Sequence, residues 1–399
     1  MRTNFEVIVV GAGGLGSAAA YWSALRTGGD VLAIEQFELG HVRGSSQDHS
    51  RIIRRSYHDP IYIDLATASY QAWDAVEAAS GVQLVTKTGG LDLEMLGTSG
   101  PKDLSHCAAS MAAAGIPYEE LSSRDLRERF PQFTLPEDAR ALYQEDGGLV
   151  DARKSIATHL ALARGLGAIV VDRCPVRALR PLGDTSVEVV TDSGTFTAGQ
   201  VIVAAGAWTN QVLDSLGVRF PLTVTKEQIT YFATPNLREF APDHFPVWIW
   251  RGPQGFYGFP VYGEVATKAG QDCGGPETTA DGRDFEPDPD AKQRLLDFLG
   301  ANIPRFLGPE LLTKTCLYTM PPDRHFVLDK APGHPRVTVA VDAGHAFKFA
   351  SLFGRILSEL ALDDRTDHDI APFRADRPAL TDPTFQPFFR NEAVVSRSG

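Results

Sequence analysis

A strand, glycine-rich turn, helix and strand open the chain, buried-type apolar strands return in two later blocks, and a region rich in aromatic, glycine and β-branched residues lies between them. Together these predict an α/β (α+β) fold. The expected architecture is a Rossmann-like domain interrupted by a second, mainly antiparallel β-sheet domain. At 399 residues the chain is long enough for both.

The first strand is read over 5–10, the helix follows the glycine turn, and the next strand ends at Glu35. Tyr62, Leu65, Ala66, Tyr70 and Trp73 recur at helical spacing and predict a helix over 61–80. A strand at 91–94 and a helix at 103–115 follow. Asp151 is placed to cap a helix running to about residue 166, which Gly165 and Gly167 help to end. Strands are expected at 169–171, 186–190 and 200–205, the last of the continuous buried type. Residues 225–275 predict an antiparallel sheet, 275–289 a polar loop and 290–302 a helix. A buried strand at 337–341 leads into an apolar-faced helix at 349–362.

The formal charge of −12 argues against a nucleic-acid surface or attachment to anionic membranes. No apolar run approaches the ~18 residues of a membrane span. The N-terminus shows no room for a secretory signal, and Ser396–Gly399 carry no recognisable address, so a cytoplasmic monomer is expected. Cys107, Cys174, Cys273 and Cys316 are scattered, which predicts neither disulfides nor a metal site.

Gly11-Ala12-Gly13-Gly14-Leu15-Gly16 fits G-x-G-x-x-G between strand and helix, and Glu35 lies 19 residues beyond Gly16. Gly11 permits the tight turn, Gly13 lets backbone approach a pyrophosphate, and Gly16 allows close helix–strand packing. The helix N-terminus offers unpaired N–H groups to phosphates, and Glu35 offers acceptors to a ribose. The motif alone does not separate FAD from NAD.

From residue 44 onward the reading becomes specific. Gly44-Ser45-Ser46-Gln47-Asp48-His49-Ser50-Arg51-Ile52-Ile53-Arg54, Tyr257-Gly258-Phe259-Pro260 with Lys268 beyond it, Lys314-Thr315-Cys316-Leu317-Tyr318-Thr319 and Gly344-His345-Ala346-Phe347-Lys348-Phe349 resemble the monomeric sarcosine oxidase and N-methyltryptophan oxidase family, in its order and at near-identical spacings. The 343–354 run is also similar to the flavin-binding end of a cyclic imino acid oxidase from antibiotic biosynthesis.

The resemblance implies a Rossmann-like FAD-binding domain over 1–83, 146–222 and 318–390, and a discontinuous substrate domain over 84–145 and 223–317. It implies FAD contacts from Gly11, Gly13, Gly14, Gly16, Glu35, Gln36, Ser45, Ser46, Ser50, Arg51, Val176, Ala205, Gly206, Trp208, Gly344, Ala346, Phe347 and Lys348. Cys316 matches the cysteine that forms a thioether to the flavin 8-methyl carbon; an isolated cysteine is ordinarily just a buried apolar thiol. Lys268 matches the lysine that promotes oxygen reduction, where a fixed cation stabilises developing superoxide charge; the ordinary alternative is a solvated lysine on an edge strand. Arg51 matches an arginine beside the flavin ring. Arg54 and Lys348 match the pair that holds a substrate carboxylate, and Tyr257 and Tyr318 match aromatic walls. Arg55 is expected to be solvated.

Two positions depart from the family pattern. Gln47 and Asp272 stand where sarcosine oxidase has histidines. Asp272 is expected either to meet a substrate ammonium or to enter a structural bond. The implied reaction is oxidation of a secondary or N-methylated amino acid by hydride transfer to FAD, with O2 reduced to H2O2 and the imine hydrolysed. A cyclic imino acid substrate or a non-oxygen electron acceptor are the alternatives.

Overall fold

The computed structural model describes residues 2–96, 103–252 and 254–388; the tail Ser396–Gly399 lies outside them. Asn4–Val10 is the spine of a twisted sheet of eight strands. It pairs in parallel with Val31–Ile34 on one side and Gly194–Val203 on the other. Ile169–Val171 extends the sheet in parallel beyond Val31–Ile34, and His334–Val341 pairs in parallel with Gly194–Val203. Every side chain of 7–10 is buried, as expected of a parallel strand covered on both faces.

The helix Gly14–Thr27 packs against Ala152–Gly165 and Ala350–Asp363 on one face of this sheet. Its alanine-rich face permits that approach: a Cβ on Gly354 would lie 2.4 Å from the Ala18 backbone. Asp151 caps Ala152–Gly165 by accepting from the Lys154 amide at 2.9 Å. Asp59 caps Pro60–Ser80 in the same way, with Pro60 at the first helical position.

The second large sheet has nine strands and is mainly antiparallel. It runs Glu277–Thr278, Thr223–Phe232, Thr267–Gln271, Phe256–Phe259, Val247–Arg251, Gly90–Met95, Ala139–Gln144 and Glu119–Ser122, with Glu310–Met320 alongside Thr223–Phe232. One pair, Val247–Arg251 with Gly90–Met95, is parallel. Its core is aromatic, built around Trp248, Phe232, Phe240, Phe245 and Phe306. A third, three-stranded sheet joins Ser50–Ile53, Gly148–Asp151 and Val85–Lys87. Glu310–Met320 continues unbroken through residues 317 and 318. The capping box of Ser122 and Asp125, which starts the helix Ser123–Arg129, is a local signal absent from the elements expected above. Among the described residues no helix is long and apolar enough to cross a membrane.

Candidate active site

Two adjoining cavities lie where the eight-stranded sheet meets the nine-stranded sheet. The smaller, about 490 Å³, is lined by Gly11, Gly13, Gly14, Glu35, Gln36, Ser45, Ser46, Val176, Ala205, Gly206 and Trp208. The larger, about 840 Å³, is lined by Gln47, Ser50, Arg51, Arg54, Tyr257, Lys268, Asp272, Cys316, Tyr318, Gly344, Ala346, Phe347 and Lys348. Gly16 lies behind the first cavity, where a Cβ would fall 1.9 Å from the Gly11 carbonyl oxygen.

Glycine chemistry shapes the smaller cavity. Gly11 has φ +98, and a Cβ there would sit 2.4 Å from the Ala204 carbonyl oxygen. Glu35 is buried and accepts from the Ala12 amide at 2.9 Å and the Phe37 amide at 3.1 Å. Burial pushes its carboxyl up, but His41 and these two amides outweigh that and hold it below its ordinary value. The Gly14 amide donates to Ser46 Oγ at 2.8 Å, which ties residues 44–47 to the start of the helix.

The strand Glu310–Met320 alternates its side chains, so Cys316 and Tyr318 share one face while Thr315 and Leu317 are buried. Gln47 Nε2 donates to the Thr315 carbonyl, and Ser45 Oγ donates to the Leu317 carbonyl. The two residues therefore brace this strand at Cys316. Burial pushes the Cys316 thiol up to about 12, against the pull of Arg51, Arg283 and Lys268.

Lys268 lies on Thr267–Gln271, an interior strand between Thr223–Phe232 and Phe256–Phe259, and is 2% exposed. This corrects the solvated edge-strand alternative. Its ammonium donates to Asp48 Oδ2 at 2.8 Å and to the carbonyl and hydroxyl of Ser50, each at 2.9 Å. Among the described residues Arg51 makes no ion pair; it donates to the carbonyls of Ser50, Ser45 and Gln47 at 2.8, 2.7 and 2.6 Å.

Arg54 rests over the Tyr57 ring at 4.4 Å and donates to Ser56 Oγ at 3.0 Å, with Asp92 Oδ1 at 3.8 Å. Asp92 is itself gripped by Arg251 through contacts of 2.9 and 2.7 Å. The buried Arg54 Nε finds no hydrogen-bond partner among the described residues. Lys348 Nζ donates to the His345 carbonyl at 2.8 Å, while its own carbonyl accepts from Trp73 Nε1 at 2.8 Å and Ser69 Oγ at 2.5 Å. Burial first, then Arg54, push its ammonium down to about 7.

Asp272 takes the structural bond: it accepts from Arg324 Nη2 at 2.9 and 2.8 Å. Arg324 sits in the left-handed region at φ +58. Arg55 departs from expectation, for it pairs with Asp146 at 3.0 Å and covers the Tyr70 ring at 4.5 Å. Asp92, Arg251 and Arg324 were not anticipated, and neither were Asp48, Lys314 and Asp342. Only Asp48 and Lys314 fall within recognisable motif runs.

Residues 6–360 match the model of the DAO family, described as FAD dependent oxidoreductase. The chain belongs to this family of FAD-dependent oxidoreductases. It is 36% identical to monomeric sarcosine oxidase of Streptomyces avermitilis, covering 94% of this chain and 97% of that one. It is 30% identical to N-methyl-L-tryptophan oxidase of Yersinia pestis, covering 93% and 98%. Among solved structures, NikD, described as an unusual amino acid oxidase essential for nikkomycin biosynthesis, superposes with a TM-score of 0.82 at 29% identity, over 94% of this chain and 98% of that one.

The residues present fit FAD. The tight turn at Gly11 leaves no room for a Cβ against the Ala204 backbone, and a Cβ on Gly14 would meet the Phe347 ring at 2.7 Å. Asp342 lines both cavities, and its buried Oδ1 has no partner among the described residues. An extended ligand with hydroxyl donors, spanning from one cavity into the other, would satisfy it.

Proposed function

We propose that this chain oxidises a small secondary or N-methylated amino acid, with oxygen as electron acceptor and hydrogen peroxide as product. The observation that carries the proposal is the pair of cations, Arg54 and Lys348, in one cavity with Cys316, Tyr257, Tyr318 and Lys268. Likeness to the sarcosine and N-methyl-L-tryptophan oxidases supports the substrate class.

FAD bound there supplies a two-electron acceptor for the C–H bond next to nitrogen and a route for those electrons to O2. Gly11, Gly13, Gly14, Glu35, Ser46 and Asp342 would hold it, and Cys316 is the proposed covalent attachment point. Arg54 is pre-set by Tyr57, Ser56 and the Asp92–Arg251 pair, so little ordering is lost when it grips a carboxylate. Lys348 adds a point charge. Tyr257 and Tyr318 wall the substrate, and Lys268 keeps positive charge beside the oxygen-reactive region. Asp272 is occupied by Arg324 rather than free to take the substrate proton, and the reacting amine is the neutral form. The domain boundaries given by the resemblance are proposed together with this site, which would lie between the two domains.

The resemblance of the 343–354 run to a cyclic imino acid oxidase favours a cyclic imino acid as the second reading of substrate. Aerobic turnover with sarcosine, an N-methylated larger amino acid and pipecolate tests both. One peroxide per amine consumed is expected. Reduction of an artificial dye without peroxide would overturn oxygen as acceptor.

A further inference from the structure

Asp48 is the residue that neither the motif reading nor the proposed reaction uses. It is 5% exposed and stands at φ +74, where a non-glycine residue carries a backbone cost of order 1 kcal/mol. Such a conformation persists only where the surroundings over-determine it. Here they do: Oδ2 accepts from Lys268 at 2.8 Å, Oδ1 accepts from Lys314 at 3.0 Å, and the Tyr231 hydroxyl donates to both oxygens at 2.9 Å. Two ammonium groups from two different strands thus share one carboxylate.

We infer that Asp48 is a positioning residue for oxygen chemistry, fixing the Lys268 side chain and keeping it an ammonium in the working range of the enzyme. The inference rests on the oxygen role proposed above for Lys268. Titratable and charged groups from several elements surround Lys268. Asp48 comes from the 44–49 loop, Arg51 from Ser50–Ile53, Tyr231 from Thr223–Phe232, and Lys314 and Cys316 from Glu310–Met320. Phe259 supplies only a ring face, 4.4 Å away. Three of these groups, Lys268, Arg51 and Lys314, are cationic, and Asp48 is the carboxylate set among them. Burial pushes Lys268 down to about 8 and Arg51 adds to the fall, while Asp48 opposes both. Without Asp48 the ammonium would lose its proton at lower pH, by about 1–3 units for an opposite charge at this range.

The test uses the FAD-loaded enzyme and two variants, Asp48→Asn and Asp48→Gly. The glycine variant relieves the left-handed backbone and guards against misfolding of the first. Two midpoints are measured: that of the second-order rate constant for reaction of the substrate-reduced enzyme with O2, and that of the visible absorption of the resting, substrate-free holoenzyme as pH is varied. In the parent enzyme both are expected near pH 8. Both should move acid by about 1–3 units in each folded variant. Midpoints unmoved in either variant would overturn the inference. Lys268→Met separates this from the reading beneath it. If Lys268→Met slows the oxygen step and the Asp48 variants keep the parent midpoints, the Asp48 role alone fails. If Lys268→Met leaves the oxygen step untouched, the oxygen role of Lys268 fails and takes the inference with it.

Discussion

Replacing Lys348 by methionine isolates the charge that the proposed carboxylate clamp places at one atom. The Lys348 ammonium gives one hydrogen bond to the His345 carbonyl at 2.8 Å, and its backbone is locked by Trp73 and Ser69, so it points into the cavity at little conformational cost. A carboxylate about 4 Å away, at an effective dielectric of about 20, is attracted by about 4 kcal/mol. Roughly half of that is offset by stripping water from the ligand. A net of about 2 kcal/mol corresponds to roughly 30-fold in Kd. The pH dependence has a definite sign. Burial and Arg54 hold the free-enzyme ammonium at about 7, and a bound anion favours the protonated form. Affinity is therefore full below pH 7 and weakens as pH rises through that value, by up to about tenfold per unit. Methoxyacetate, a carboxylate without an amine, removes substrate titration from the measurement. Its binding is followed by perturbation of the visible absorption of bound FAD. Lys348→Met should bind roughly 30-fold more weakly at low pH, with a flat profile. A flat profile in the parent enzyme, or a Lys348→Met Kd within about twofold of the parent, would refute the clamp.

Two further outcomes follow from the same geometry. Cys316→Ala should release all of its FAD on acid precipitation while the parent retains it; because burial holds the thiol near 12, attachment in FAD-reconstituted protein should also accelerate as pH rises. Flavin that stays with acid-precipitated Cys316→Ala would end the covalent proposal. Gly11→Ala places a Cβ 2.4 Å from the Ala204 carbonyl oxygen at φ +98, a loss of about 3 kcal/mol or more, read as a lower urea midpoint and a lower FAD content on purification. A parent-like midpoint would mean that the turn relaxes in a way the packing does not indicate.

The fold was legible where a pattern repeats over many residues. The buried run at 200–205 and the periodic helices near 61–80 and 349–362 mark elements that the structure places within a few residues: Gly194–Val203, Pro60–Ser80 and Ala350–Asp363. Short strands such as Ser50–Ile53 and Gly148–Asp151 were not legible, because four residues carry too little periodicity and their pairing is long-range. The cavity-lining residues were readable as types in motifs, yet their partners were not. Lys268 looks like any lysine on a strand; its burial depends on Asp48, which lies 220 residues earlier in sequence. Asp272 left two outcomes open, and only Arg324, brought in by a left-handed turn, decides between them. Arg55 is absent from the lining of the cavity that Arg54 enters, yet it is not simply solvated, because Asp146 and Tyr70 reach it from other elements.

The central claim, oxidation of a secondary amino acid held by Arg54 and Lys348, is tested most directly by anaerobic mixing of the FAD-loaded enzyme with sarcosine, pipecolate and methoxyacetate in parallel. The account predicts that at least one of the two secondary amino acids bleaches the visible absorption of oxidised FAD, and that methoxyacetate binds without bleaching. Failure of both amino acids to bleach it, while a primary amino acid or an amine lacking a carboxylate does so, would contradict the account.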